Sequence, residues 1–387
     1  MIRQFNRRKF LWYGSTAFGT SLVLNACTGQ SPIPQASSPS PTVSASASPA
    51  IGQFRVAIAL PGPITDKGWN QAGYESMGIV RLKLKVEMAY VEKVPQADQV
   101  EVLSDFARRD FKLIIAHGGQ FESAVKQVAA QFPESFFLVS DGVVTGRNIA
   151  SLQVNHLQIA YLAGVVAGQM TQSNKVAFLT AQSFTTTDQE RRGFELGAKS
   201  VNPQVEVKAS YTNDWNDVGK AKEATTALIA AGVDVVYNML DAAAAGVLQT
   251  LSDKGAYAIG YFEDQLKLSP KTVLTSAVQD YGLAIESVAE TASRKGLEGK
   301  IYKIGLDKPD ILRLGEFSAV VPEAVKQKTM QTRAAIVSKK ITFEACQVNG
   351  KENWCVKGAV NNLKSSLHAH GHFQPQIAQQ AFHLKML

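Results

Sequence analysis

The stretch "FRVAIALPGPITDKGWNQAGYESM", residues 54–77, reads as strand, loop and helix in that order. "FRVAIAL" is a short apolar run, "PGPITD" is broken by two prolines and a glycine, and the residues that follow carry helical spacing. A turn needs only glycine, proline or a capping side chain. This one also holds Asp66, Lys67, Trp69 and Asn70. An acid, an indole and an amide just past the carboxyl end of a strand are chemistry suited to holding a ligand.

Outward from that stretch the pattern repeats. "KVEMAYV", "FKLIIAHG", "SFFLVSDG" and "IASLQVN" are further short apolar runs separated by helical segments. In "ADQVEVLSDFARRD", for example, Val100, Leu103 and Ala107 share one helical face, with Phe106 beside them. Apolar strands alternating with helices predict a parallel sheet covered on both faces. A second set follows: "KVAFLTA", "VEVKASYTN", "VDVVYNML", "YAIGYFED" and "VLTSAVQD", with the apolar helix "YLAGVVAGQMT" at the junction. Two such sets predict two doubly wound lobes, each binding at the carboxyl ends of its strands. Asp66, Gly118, Gly119 and Asp141 fall there in the first, and Asp214, Trp215, Asp241 and Asp264 in the second. A helix is expected over 281–295 and another over 322–339, with a less regular segment from Ile341 onward.

Composition bounds the rest. The 387 residues suffice for two ordinary domains. The formal charge of +7 falls to 36 − 33 = +3 once Arg3, Arg7, Arg8 and Lys9 are set aside, and no basic stripe interleaved with aromatics points to nucleic acid. Those four cations open a leader, residues 1–26, with an apolar run from Leu11 to Leu24 that is short for a membrane span. "RRKFL" resembles the twin-arginine export motif, and "LNAC" resembles a lipobox that ends at an acylated Cys27. Residues 27–50 then form an uncharged Ser/Pro/Ala tether with no core to bury. The expectation is an exported chain, held by lipid at the periplasmic face or cell surface. In that compartment the remaining cysteines, Cys346 and Cys355, suggest one disulfide.

Residues from about 51 to 340 resemble the basic membrane protein (BMP) family of substrate-binding lipoproteins that serve ABC transporters. The likeness rests on "GPITDKGWNQAGYE", "HGGQFESAV", "FPESFFLVSDG", "NIASLQVNHLQIAYLAGVVAGQMT", "KVAFLTA", "RRGFELGAKSVNP", "DWNDVGKAKEATTALIAAGVDVVYN", "KGAYAIGYFEDQ" and "VLTSAVQDYG", in that order. The resemblance implies an α/β chain with the type I periplasmic-binding-protein fold: two Rossmann-like lobes joined by three crossovers, with a ligand cleft between them. It implies lobe 1 over 51–155 and 278–306, lobe 2 over 156–277 and 307–345, and a C-terminal extension over 346–387. It also implies a purine nucleoside or nucleobase ligand, ABC permease and ATPase subunits as partners, and a monomer without cofactor or metal.

Carried over residue by residue, the resemblance puts Asp66, Trp69 and Asn70 on the ligand loop, with Trp69 as the base-stacking aromatic. Gly119 and Phe121 fall in a glycine-aromatic turn, Asp141 on the acid of a "DG" turn, and Asp264 on the acid after the "GY" strand. Three places depart from the nucleoside-binding pattern: Phe262 stands where an acid resembles a ribose ligand, Gln279 replaces a lysine, and a glycine-rich turn reads "LDAAAAG". Loss of a ribose acid weakens sugar recognition, because desolvated hydroxyls need paired acceptors. The expectation therefore leans to a free nucleobase.

The residues themselves support a flat, polar-edged ligand. Trp69 and Trp215 can sandwich a ring, and Asp66, Asp141, Asp241 and Asp264 can accept from ring N–H groups. Four acids suit a cation or a sugar as well. Asp66 and Asp241 also suit helix caps, Asp141 before Gly142 a turn, and both tryptophans simple packing. Walker A, HExxH and G-x-S-x-G sequences are absent, so no enzyme is expected. The alternatives weighed beside a transport receptor are a nucleoside hydrolase using cleft acids and a sensor for a membrane kinase. His117 at a strand end reads as a satisfied histidine, and "LHAHGHF" near the C-terminus as a solvated tail.

Overall fold

The computed structural model describes residues 3–4, 54–66, 68–348 and 351–358. Cys27, where acylation is expected, the segment 28–50 expected to be a tether, Lys67 and the histidines at 368, 370 and 372 lie outside them. By its own contacts the chain divides into two compact units. The first runs to Val154 and resumes over Gln279–Ile304. The second comprises Asn155–Val278 and the chain from Gly305 onward.

The first unit is built on one parallel sheet. Strands β1 (Arg3–Gln4), β2 (Arg55–Ala59), β3 (Glu87–Val91), β4 (Leu113–His117), β5 (Phe136–Ser140), β6 (Ile149–Val154) and β12 (Ile301–Ile304) lie in the order β1-β3-β2-β4-β5-β6-β12. The central strands have no exposed residue, which is why they read as continuous apolar runs rather than as alternating ones. Helices α1 (Trp69–Leu84), α2 (Gln99–Arg108), α3 (Glu122–Ala129) and α8 (Tyr281–Lys295) belong to this unit. Leu103, Phe106 and Ala107 of α2 are buried, as their spacing requires, and Val100 packs partly buried beside them.

Strand order fixes where this sheet can bind. From β2 the chain moves to β3 on one side, then crosses to β4 on the other. The loops after β2 and β4 therefore diverge, and the crevice at that switch point is where open α/β sheets hold ligands. The segments from Pro61 to Asp66 and from Gly118 to Phe121 occupy it.

The second unit carries β7 (Lys175–Thr180), β8 (Glu206–Tyr211), β9 (Val235–Met239), β10 (Tyr257–Phe262), β11 (Val273–Gln279) and β13 (Leu312–Leu314), in the order β13-β11-β10-β9-β7-β8. β11 runs across the division and ends in the first unit. The helices are α4 (His156–Met170), α5 (Thr185–Val201), α6 (Val218–Ala230), α7 (Ala244–Lys254) and α9 (Glu323–Val337). α4 is buried around nearly its whole circumference, which accounts for its uniformly apolar sequence. It crosses α5 backbone to backbone: a Cβ on Gly164 would lie 2.1 Å from the Phe194 carbonyl oxygen, and one on Gly197 2.0 Å from that of Tyr161.

The described residues from Ile341 onward, 341–348 and 351–358, are more regular than expected. β14 (Thr342–Val348) and β15 (Lys351–Lys357) form an antiparallel hairpin, with Cys346 and Cys355 joined by a disulfide. Phe343 packs edge-on against Tyr161 of α4, and the Arg192 guanidinium of α5 donates to the Trp354 carbonyl at 3.0 Å. The sequence Asn349-Gly350 between the strands is a strong hairpin signal.

Candidate functional site

The loop after β2 is organised by Asp66. Its Oδ1 accepts from the Gly68 and Gln71 amides at 3.0 and 2.9 Å, and its Oδ2 from the Asn70 amide and Asn70 Nδ2 at 2.9 and 2.7 Å. These bonds satisfy amides at the start of α1 that have no partner within the helix. Asn70 completes the loop, since its Oδ1 accepts from the Gly62 amide at 2.8 Å. Both side chains are buried. Of the three ligand-loop residues expected from sequence, Asp66 and Asn70 therefore shape the loop, and Trp69 remains partly exposed on it.

Trp69 is the first residue of α1, and its indole is held from two sides. It stacks on the His117 imidazole with centroids 4.0 Å apart and an interplanar angle of 15°. Tyr281 meets it edge-on at 4.6 Å and 74°. His117 Nε2 lies 2.9 Å from the Trp69 carbonyl oxygen, which can only accept, so the proton sits on Nε2. Nδ1 is then a bare lone pair, buried and without a hydrogen-bond partner among the described residues. Burial lowers the His117 pKa to about 4; the bond to Trp69 and the charges of Asp66 and Asp141 oppose that shift without overcoming it. The ring is thus neutral at physiological pH. It is a strand-end histidine with Nε2 satisfied and Nδ1 not, short of the fully satisfied ring its sequence suggested, and it is also the floor under Trp69.

Asp141 stands beside this stack. It follows β5 in a left-handed conformation, φ 57°, with its amide donating to the Leu152 carbonyl at 2.7 Å. Tyr281 Oη donates to Asp141 Oδ1 at 2.9 Å. The same tyrosine therefore touches both the indole and the acid. Gly118 bridges the strand ends: its φ of 129° is closed to side chains, and its amide donates to the Ser140 carbonyl at 3.1 Å. A Cβ on Gly119 would lie 3.3 Å from the Asp141 carbonyl oxygen. Lys303 of β12 faces this acid electrostatically: burial lowers its pKa, and the Asp141 charge pulls it back up. Phe121, expected as a ligand contact, is fully buried in the core with Val125, Val128 and Phe137. Neither Tyr281 nor Lys303 was singled out from the sequence.

At the carboxyl edge of the second sheet, Trp215 is half-buried against the core lined by Leu240 and Val247, and its carbonyl accepts from the Asp241 and Ala243 amides. Asp214 Oδ1 closes a turn on the Asn216 and Asp217 amides at 2.8 and 3.0 Å. Asp264 is a clamp between segments. Its Oδ2 accepts from the Glu316 amide at 2.7 Å, and its Oδ1 from the Leu266 amide at 3.1 Å. Phe262 takes a left-handed φ of 73°. Below this edge the buried Glu190 joins His156 Nδ1, at 2.8 Å, to the Tyr237 hydroxyl. Burial, with Glu190 adding to it, pushes the Tyr237 pKa well above its ordinary value. No group of three or more His, Cys, Asp or Glu side chains among the described residues is arranged to hold a metal. No helix among them is long and apolar enough to cross a membrane.

Comparison with known proteins places this arrangement. The chain is 31% identical over 275 residues to the transcriptional activator protein med of Bacillus subtilis (strain 168), covering 71% of this chain and 86% of that one. It is 29% identical over 291 residues to a purine-binding protein of Brucella abortus (strain 2308), covering 74% and 81% of the two chains. A solved ABC transporter solute-binding protein from Aeropyrum pernix K1 superimposes with a TM-score of 0.68 at 17% identity, covering 76% of this chain and 94% of that one. That likeness establishes the fold, two parallel-sheet lobes of the type I periplasmic-binding-protein class. Residues 54–347 match the family described as "ABC transporter substrate-binding protein PnrA-like", and the chain belongs to that family, Bmp.

Proposed function

We propose that this protein is a lipid-anchored, extracytoplasmic receptor that delivers a purine nucleobase or nucleoside to an ABC importer. The observation that carries the reading is the Trp69 shelf: a partly exposed indole, backed by a neutral aromatic ring, with the Asp141 carboxylate tied in alongside. Such a shelf offers a stacking face, and the acid accepts from a ring N–H or exocyclic amine. The name of the Brucella abortus relative supports the same class of solute. Phe262 in place of a ribose-binding acid favours the free base over the nucleoside. The reading includes attachment through Cys27, closure of the two lobes on the solute and transfer to separate permease and ATPase chains.

The test is a calorimetric and thermal-shift screen of the purified protein against nucleobases, nucleosides, sugars and amino acids. A ligand that binds only the folded state raises the melting temperature. The expected result is saturable, stoichiometric binding of a purine base, with nucleosides weaker and no product formed. Binding confined to a sugar or an amino acid would overturn the purine assignment. Turnover of a nucleoside to base and sugar would replace the receptor by a hydrolase.

A further inference from the structure

We infer that His117 and Tyr281 are positioning residues that join Trp69 and Asp141 into one preorganised binding element. The inference rests on the receptor reading above and goes one step deeper into the same site. Trp69 sits at the first residue of a helix, where one turn of backbone and a rotatable side chain would leave an indole free to swing. Four contacts remove that freedom. The imidazole lies flat under the indole, the His117 Nε2–H bonds the Trp69 carbonyl, the indole Nε1 lies 3.4 Å from the His117 carbonyl, and Tyr281 closes the edge.

His117 is itself fixed. A Cβ on Gly73, one turn along α1, would lie 2.6 Å from His117 Nε2 and 2.7 Å from Cδ2, so α1 presents a flat glycine surface on which the ring rests. Both His117 and Tyr281 are fully buried. Tyr281 then spends its hydroxyl on Asp141 Oδ1 rather than on solvent. Stacking face and acceptor are therefore set relative to each other before any solute arrives. Holding them in place removes the ordering cost that a loose site would meet on binding.

The test compares wild type, His117→Ala, His117→Phe and Tyr281→Phe in the purified protein, titrated with adenine and guanine. Each variant is also examined in the absence of ligand by the near-UV circular dichroism of its tryptophans. His117→Ala is expected to weaken binding by about tenfold or more and to collapse the dichroic band that Trp69→Phe identifies as the shelf's own. His117→Phe restores a stacking ring and is expected to recover most of both signals. Tyr281→Phe keeps the edge contact, so the band stays while affinity falls. Wild-type affinity in both His117→Ala and Tyr281→Phe overturns the inference and leaves the receptor reading intact. A His117→Phe that folds but recovers neither signal also overturns it. Failure of the wild type to bind any purine overturns the purine assignment of the proposed function, and the inference with it. Should His117→Ala not fold, Gly73→Ala serves in its place, because the added methyl displaces the same ring and is expected to reproduce the loss.

Discussion

Trp69 and His117 hold each other. The imidazole Nε2–H donates to the Trp69 carbonyl at 2.9 Å, the indole Nε1 reaches back to the His117 carbonyl at 3.4 Å, and the two rings stack 4.0 Å apart between those bonds. One residue opens α1 and the other ends β4, so this pair joins the two loops that diverge at the switch point. Removing the indole should therefore weaken binding and also loosen this junction. Trp69→Ala is expected to cost about 1–3 kcal/mol of purine affinity, the range for one stacked base. Isothermal calorimetry reads this directly, and unchanged affinity would remove Trp69 from the site.

Asp66 is expected to act mainly on stability. Asp66→Ala strips the cap from α1 and leaves the Asn70 amide without its acceptor, so the expected loss is about 1–2 kcal/mol. Urea denaturation measures it. Asn70→Ala, which frees the Gly62 amide as well, should fall in the same direction.

His117 predicts a specific pH dependence. Its folded-state pKa, about 4, lies below the ordinary value of 6.5. Between those values the unfolded chain binds the proton and the folded chain refuses it. The contribution is therefore fully present above pH 6.5, declines as pH falls and is gone below about 4, for a total of roughly 3 kcal/mol. His117→Phe should flatten the stability profile in that window. A variant profile as steep as that of the wild type would assign the acid sensitivity to carboxylates instead.

Two Gly→Ala substitutions should act with opposite sign. At Gly197 the added methyl would sit 2.0 Å from the Tyr161 carbonyl oxygen and force α4 and α5 apart, so a loss of about 1–3 kcal/mol or more is expected. At Gly78, inside α1, nothing lies within 4 Å of the new Cβ, and the gain in helix propensity should add about 0.5–1 kcal/mol. Melting temperatures of the two variants give the comparison.

Tyr237→Phe probes the buried network of the second unit. It takes one donor from Glu190, which is fully buried, and is expected to cost about 1–3 kcal/mol. Ligand affinity should hold, since the change lies below the sheet edge. A chemical denaturation curve beside one binding isotherm distinguishes the two effects.

Much of the fold was legible because it is written in local pattern. Runs such as "KLIIAH" are apolar without alternation, as strands buried on both faces must be, and the Tyr281–Lys295 helix is bounded by Asp280, whose Oδ1 accepts from the Leu283 amide at 2.9 Å. The hairpin is marked in the sequence only by Asn349-Gly350 at its turn, since its strands carry little apolar signal; a disulfide joins them, and Phe343 and Trp354 dock them on α4 and α5. Within the site, residue type named Trp69 and Asp141 but not their supports. Tyr281 lies 140 positions from Asp141, and no local pattern reports a hydrogen bond across that interval.

The sequence by itself determined the class of architecture, the positions of the carboxyl-edge loops and the family, because strand, helix and turn preferences act over a few residues and recur in order. It also named the polar residues on those loops. Only the tertiary structure decided how each is used. Asp66, Asn70 and Asp264 turned their hydrogen-bonding capacity toward backbone amides, Phe121 went into the core, and Trp69 stayed at the surface on a histidine floor. The physical reason is that a side chain's identity sets which bonds it can make, whereas which bonds it does make depends on the partners that distant strands bring within reach.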